Sequence, residues 1–362
     1  MEFMERALQL AVKGRGYTNP NPVVGAVIVK DGRIIGEGYH EKYGELHAER
    51  NALANCTEDP AGADMYVTLE PCCHYGKTPP CTEAIIEKKI GHVYVGSSDP
   101  NPLVAGKGIR ILRDAGIEVT ENVMKEKCDD INRVFFHYIS SGMPYVTLKY
   151  AMTADGKIAT YSGKSKWITG EEARRDVHRL RHENAVIMAG IGTVLADDPM
   201  LNCRLEGGID PVRVICDSAL RIPMDSRLVE TAHDIRTVIA TCSGSGIRSN
   251  KTAFLEKAGC EIFHSKAMGD KVDLLELMKW LGDEKLDSVL IEGGGQLAWS
   301  ALEAGLVDRV MAYTAPKIFG GSQAKTPVEG SGFEAPDEAV HMKVRDISRL
   351  GDDILTEYEV IK

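Results

Sequence analysis

The chain has 362 residues, 43% of them apolar, 6% aromatic and 27% charged, with a formal net charge of −10. At about 100–200 residues per domain, that length predicts two domains. The acidic balance and the scarcity of aromatics exclude a broad basic or base-stacking surface for nucleic acid, so an anionic ligand would need a local cluster of Lys, Arg and backbone N–H groups.

Along the chain, Met4, Ala7, Leu8, Ala11 and Val12 recur at helical spacing, and Gly14 stops that helix. VVGAVIVK and RIIGEGYH flank Asp31-Gly32, a strong hairpin signal. Residues 47–56 predict a helix, MYVTL a short buried strand, TEAIIEKKI a helix, HVYVG a strand, and AGKGIRILRDAG a helix ending at Gly116. The alternation predicts a layered α/β domain. Gly142 and Pro144 in SSGMPYV break the chain, which places domains at 1–143 and 144–362. Strands and helices then resume with YVTLKYAMT, EEARRDVHRLRH, AVIMAG, VRVICD, TVIAT, FLEKAG, LLELMKWL, SVLIEGGG, LAWSALEAG, RVMAYTAP and ILTEYEVI, a second α/β unit. GSGIRSN, near residue 246, reads as a surface loop.

The nine cysteines are an odd number spread over a long chain, which is not a disulfide framework. Cys56, Cys128, Cys203, Cys216, Cys242 and Cys260 read as ordinary thiols of a reducing compartment. The first residues carry acidic side chains and no unbroken apolar core, unlike a signal peptide. No run approaches the ~18 apolar residues of a membrane span. The expectation is a soluble cytoplasmic protein with no membrane partner.

One constellation carries chemistry: His47-Ala48-Glu49 together with Pro71-Cys72 and Cys81. Zinc takes thiolate and imidazole ligands, and a catalytic site keeps three protein ligands so that the fourth position holds water. His47, Cys72 and Cys81 supply that set, and Glu49 is placed to move protons between the water and a leaving amine. H-x-E followed by P-C and a second Cys is the signature of zinc-dependent base deaminases. Adjacent cysteines seldom bind one ion, so Cys73 is left to packing, while Cys72 and Cys81 stand at the more favourable positions. Eight residues separate Cys72 from Cys81 instead of the usual two, and the longer loop brings His74 and Lys77 to the pocket mouth. The competing reading is a structural zinc site or buried thiols, which leaves Glu49 without a task.

With these residues, TNPNPVVGAVIV, YVTLEPCCHYGKTPPC and SSDPNPLVAGKGI make the first half resemble the deaminase half of the bifunctional riboflavin-biosynthesis deaminase–reductases. The resemblance implies a cytidine-deaminase-like α/β/α fold, one zinc ion, and a diamino-pyrimidinone substrate bearing a phosphoribosylamino group. It further implies that Asn21 and His40 contact the base or ribose, and that His74, Lys77, Asp99 and Asn101 help to hold the substrate. The two Asn-Pro loops are read equally well as plain turn chemistry.

In the second half, SVLIEGGG before LAWSALEAG reads strand, glycine turn, helix, a phosphate cradle or merely a tight turn. YVTLKYAMTADGKIA, SKWITGEEAR and AGIGTVLADDPMLNCR make this half resemble the reductase half of the same family. That resemblance implies a dihydrofolate-reductase-like α/β fold, and NADPH-dependent reduction of the ribosyl side chain to ribityl. It implies that Ala151, Trp167, Thr193, Asp197, Gly294, Gly295, Gln296, Leu297, Ala298, Trp299 and Ser300 line the cofactor. Ser165, Arg181, Leu201, Arg204 and Glu292 would face the substrate. Arg181 and Arg204 suit the terminal phosphate as forked donors, and Lys149 with Glu292 would hold sugar hydroxyls or trade a proton. Asp155 reads as a turn residue, and Asp197-Asp198-Pro199 also fits a loop start. Arg221, Arg236 and Arg248 are candidates for the extra phosphate of NADPH and equally for solvated side chains. Relatives assemble through the reductase half, which implies at least a homodimer.

Overall fold

The computed structural model describes residues 1–76, 78–242, 249–266 and 271–362, in two units, Met1–Gly142 and Met143–Lys362. Lys77, Arg248 and the body of the predicted GSGIRSN loop lie outside the described residues.

In the first unit, Asp31 and Gly32 have positive φ (50° and 73°) and join β1 (Gly25–Lys30) to β2 (Arg33–Tyr39). This is the mirror-image turn that matches the twist of a hairpin. β3 (Asp64–Leu69) pairs antiparallel with β1, and β4 (His92–Ser97) and β5 (Glu118–Thr120) follow in parallel, giving the order β2-β1-β3-β4-β5. Strand residues alternate between the sheet's two faces. Ala26, Ile28, Met65 and Val67 pack with the helix Ala48–Ala54, whereas Val27 and Val29 pack with Met4, Ala7 and Leu8 of the helix Glu2–Ala11. Helices on both faces make the α/β/α layering that the sequence predicts.

Two glycines set how closely those helices lie. A Cβ on Gly25 would fall 2.0 Å from the Ala7 carbonyl oxygen, and one on Gly38 would fall 2.3 Å from the Ala52 nitrogen. Only glycine permits that approach, and the second contact presses the helix that follows His47 against β2.

The second unit is built on a nine-stranded sheet. Its strands are β6 (Tyr145–Thr153), β7 (Val186–Gly190), β8 (Val212–Cys216), β9 (Thr237–Cys242), β10 (Cys260–Ser265), β11 (Ser288–Glu292), β12 (Arg309–Ala315), β13 (Met342–Leu350) and β14 (Asp353–Val360). The order is β10-β9-β8-β7-β11-β6-β12-β14-β13, parallel from β10 to β12 and antiparallel beyond. Val186, Met188 and Val214 pack on one face, and Ile187, Ala189 and Ile215 on the other, as a parallel sheet covered on both sides requires. Among the described residues no helix is long and apolar enough to cross a membrane.

Candidate active sites

The first site gathers where β3 ends and two helices begin. His47 caps the helix Ala48–Ala54 in an extended conformation (φ −75°, ψ 164°), and Cys81 opens the helix Cys81–Glu87 directly after Pro80. The Thr82 N–H donates to the Cys72 carbonyl and the Cys81 N–H to the Cys72 sulfur, at 3.2 and 3.3 Å. These bonds fold the long cysteine loop back so that its two ends meet. His47 Nδ1 lies 3.4 Å from Cys72 Sγ and 3.5 Å from Cys81 Sγ. Zinc–sulfur and zinc–nitrogen bonds of about 2.3 and 2.1 Å at tetrahedral angles place such atoms about 3.6 Å apart. The donor set therefore fits zinc in chemistry and in spacing. Cys73 points elsewhere, its thiol toward the Leu103 carbonyl at 3.7 Å.

Glu49, in the first turn after His47, is 3% exposed. Burial, reinforced by the negative charge of Cys72, pushes its carboxyl up to about 7. His40 Nδ1 faces the Leu46 carbonyl at 3.1 Å, so it carries the proton; Nε2 is left to accept from the Asn21 amide at 3.3 Å. Burial lowers the His40 pKa, keeping the ring neutral.

A cavity of about 240 Å3 is lined by Asn21, His40, His47, Glu49, Cys72, His74, Asp99 and Asn101. Of the predicted deaminase contacts, only Lys77 cannot be placed, because it lies outside the described residues. His74 Nδ1 is buried and has no hydrogen-bond partner among them. Asp99 Oδ1 accepts from the Asn101 N–H at 2.8 Å and Asn101 Oδ1 from the Leu103 N–H at 3.0 Å, so both residues form side-chain turns while also lining the cavity. Burial raises the Asp99 carboxyl to about 6.

Two organising residues escape sequence reading. The Glu70 carboxylate accepts from the N–H groups of Asp99, Gly106 and Ile109 at 3.3, 3.0 and 3.3 Å, fixing the far wall of the cavity. Asn132 pairs with both backbone groups of Val23 at 2.9 Å and so holds the loop that carries Asn21.

The second site lies at the carboxyl ends of β6, β7 and β11, where open parallel sheets bind ligands. In the register of β11 against β6, Glu292 stands beside Lys149. Lys149 Nζ donates to Glu292 Oε1 at 3.2 Å, and Arg181 closes the other side with Nε and Nη2 at 2.9 Å each. Burial alone would raise the Glu292 pKa, but the two cations hold it well below the usual carboxylate range. Arg181 lines the cavity of this site with its fork on Glu292, and its third nitrogen donates to the Asn202 carbonyl at 2.9 Å. Arg204 donates through Nε to His178 Nε2 at 3.1 Å, and its terminal nitrogens have no partner among the described residues.

A cavity of about 420 Å3 over this triad is lined by Lys149, Ala151, Trp167, Arg181, Thr193, Asp197, Leu201, Arg204, Glu292, Gly294 and Ala298. A neighbouring cavity of about 430 Å3 takes in Ser165, Thr193, Asp197, Gly294, Gly295, Gln296, Leu297 and Ser300. Gly293 and Gly294 both have positive φ (98° and 93°), and a Cβ on Gly293 would lie 2.9 Å from Thr193 Oγ1. The turn thus brings backbone close to the cavity and opens the helix Gly295–Glu303, whose first N–H groups lack intrahelical partners. This cradle fits the pyrophosphate of a dinucleotide.

Trp299 lines neither cavity. Its ring packs against Phe333 instead, with the ring centres 5.0 Å apart. Trp167 is 61% exposed, with the Arg174 guanidinium 4.7 Å from its ring centre and Lys317 holding its carbonyl at 2.9 Å. Asp155 is a turn residue as expected, accepting from the N–H groups of Phe319 and Gly320 at 3.1 and 2.7 Å.

Fold and sites together define a two-unit enzyme, a zinc-binding deaminase joined to a nicotinamide-dependent reductase. Residues 1–97 match the cytidine and deoxycytidylate deaminase zinc-binding region, and residues 144–356 match the RibD C-terminal domain. The riboflavin biosynthesis protein RibD of Actinobacillus pleuropneumoniae is 55% identical over 361 residues, covering 100% of this chain and 95% of that protein. The solved Acinetobacter baumannii RibD superposes with a TM-score of 0.87 at 38% identity, covering 100% of this chain and 98% of that one. A Thermotoga maritima diaminohydroxyphosphoribosylaminopyrimidine deaminase/5-amino-6-(5-phosphoribosylamino)uracil reductase gives the same score and identity over 99% and 98%. The chain belongs to the RibD family, bifunctional deaminase–reductases of riboflavin biosynthesis.

Proposed function

We propose that the chain acts twice on one phosphorylated pyrimidine. The first unit removes the ring amine of 2,5-diamino-6-(5-phosphoribosylamino)pyrimidin-4-one by hydrolysis. The second reduces the ribosyl chain of the product, with NADPH, to give 5-amino-6-(5-phosphoribitylamino)uracil. The observation that carries this reading is the buried Glu49 beside the His47, Cys72 and Cys81 triangle, in one cavity with residues that suit a pyrimidine edge.

His47, Cys72 and Cys81 would hold the zinc, which supplies a Lewis-acid centre that makes water a nucleophile near neutral pH. Glu49 takes a proton from the attacking water and returns it to the departing amine, which leaves as ammonia. Neutral His40 and Asn21 face the ring or ribose, and His74 offers its unpartnered Nδ1. In the second unit NADPH supplies the hydride. Lys149, anchored by Glu292, is placed to donate a hydrogen bond or proton to the sugar. Arg204 faces the phosphate with its open guanidinium edge.

The nine free cysteines suit a cytoplasmic setting. A homo-oligomer through the second unit is supported by the exposed apolar residues Val344 and Ile347 of β13, and light scattering that finds only monomer at every concentration would exclude it. The test of the function is to incubate zinc-loaded protein with the diamino-pyrimidinone phosphate and NADPH and to weigh the products. Exchange of amine for oxygen, followed by gain of two hydrogens, is expected; an unchanged substrate would refute the reading.

A further inference from the structure

The two cavities of the second unit share Ile158, Thr193, Asp197, Gly293 and Gly294. One contains the Lys149–Glu292–Arg181 triad. The other runs past the glycine turn to Ser218, Arg221 and Lys271. A dinucleotide with its pyrophosphate at the turn and its nicotinamide toward the triad would therefore extend its adenosine end to that basic pair.

Arg221 follows β8 in a turn fixed by Asp217. Asp217 accepts from the Leu220 N–H through its carbonyl at 3.0 Å and from the Ile222 N–H through its carboxylate at 2.7 Å. Leu220 and Ile222 are buried, so the exposed Arg221 between them projects outward at the cavity wall. Lys271 reaches the same place from another segment, because the N–H of the next residue, Val272, donates to Ser218 Oγ at 3.3 Å. Neither cation has a hydrogen-bond or ion-pair partner among the described residues, whereas Arg236 is engaged by Glu261 and Glu284.

The carboxylates that line this cavity have neighbours of their own. Asp197 is beside Ser165 and Glu329 is against Gly295. Asp217, four residues before Arg221, is fully buried and turned to the Ile222 N–H, and the exposed Asp225, four residues after it, lines neither cavity. A reader of an unmodified ribose usually offers a carboxylate to its hydroxyls, and a reader of the 2′-phosphate offers cations. Two cations that have no partner among the described residues suit the second.

We infer that Arg221 and Lys271 anchor the adenosine 2′-phosphate and so set the preference for NADPH over NADH. The inference rests on the reading that the second cavity holds the dinucleotide. Arg221→Ala/Lys271→Ala is compared with the unaltered chain by titrating NADPH and NADH without substrate, following nicotinamide fluorescence. Adenosine 2′,5′-bisphosphate and 5′-AMP serve as probes in thermal unfolding.

With two charge-assisted contacts each contributing roughly tenfold, NADPH affinity should fall about a hundredfold in the double variant, while NADH affinity stays within about twofold. The retained NADH affinity reports an intact cavity. The bisphosphate, but not 5′-AMP, should raise the unfolding temperature of the unaltered chain and lose that effect in the variant, and Arg221→Lys should keep most of the preference. Equal weakening of both dinucleotides would place the pair at the pyrophosphate, and unchanged NADPH affinity would place the 2′-phosphate elsewhere; either overturns the inference alone. An unaltered chain that binds neither dinucleotide would overturn the reading of the cavity as well.

Discussion

Arg181 holds Glu292 by two parallel hydrogen bonds of 2.9 Å, and Lys149 meets the same carboxylate at 3.2 Å. Two cations thus share one carboxylate in a site where all three side chains are at most 15% exposed. Removing the acid strands both charges. Glu292→Gln is expected to destabilise the second unit by about 3–5 kcal/mol and to stop reduction, measured by urea unfolding and by NADPH oxidation with the deaminated intermediate. Lys149→Met leaves the Arg181 fork intact. It should cost little stability yet slow reduction by at least roughly a hundredfold if Lys149 handles the proton.

The cysteine loop makes a second prediction. Cys72→Ser or Cys81→Ser should lower zinc content from one per chain toward none, measured by metal analysis after dialysis. Cys73→Ser should keep the metal, because its thiol points to the Leu103 carbonyl. Loss of zinc from the Cys73 variant would reverse the ligand assignment.

Helix placement can be tested at Gly38. An added methyl would meet the Ala52 nitrogen at 2.3 Å and the Ala48 carbonyl oxygen at 2.6 Å, both backbone atoms of the helix that His47 caps. Gly38→Ala should cost about 1–3 kcal/mol and weaken zinc binding. At Gly32 nothing lies within 4 Å, so Gly32→Ala should strain only the turn and spare the metal.

His178 gives a pH signature. Burial first, and the charges of Arg181 and Arg204 next, lower it to about 4 in the fold, against about 6.5 in the unfolded chain. Between those values the unfolded chain binds more protons, so this group's contribution falls as pH drops from about 6.5 to 4. His178→Gln should flatten the slope of unfolding midpoint against pH in that window relative to the unaltered chain. An identical slope in both would contradict the assignment.

Where the signal was local, the sequence was legible. Asp31-Gly32 announced the hairpin, and the H-x-E, P-C and second-Cys spacing announced the cluster of His47, Cys72 and Cys81. What it hid depends on partners distant in the chain. Glu70 is an unremarkable acid until three N–H groups from residues 99–109 converge on it. The pairing of Arg181 with Glu292 is hidden in the same way, because β11 brings Glu292 to it from 111 residues away. β13 was missed because a register shift between Val344 and Asp346 breaks its alternation and nearly all of it is exposed. β10, likewise unforeseen, is a short edge strand with one neighbour.

The most direct test of the central claim follows ammonia release and NADPH loss in one cuvette, with zinc-loaded protein, for the unaltered chain and Glu49→Gln. The account predicts ammonia followed by NADPH consumption in the first. In the variant, ammonia release should slow by at least roughly a hundredfold with zinc retained, and NADPH consumption should return when the deaminated intermediate is supplied. Ammonia release at an undiminished rate from the variant, or no NADPH consumption with the intermediate, would contradict two working sites in series.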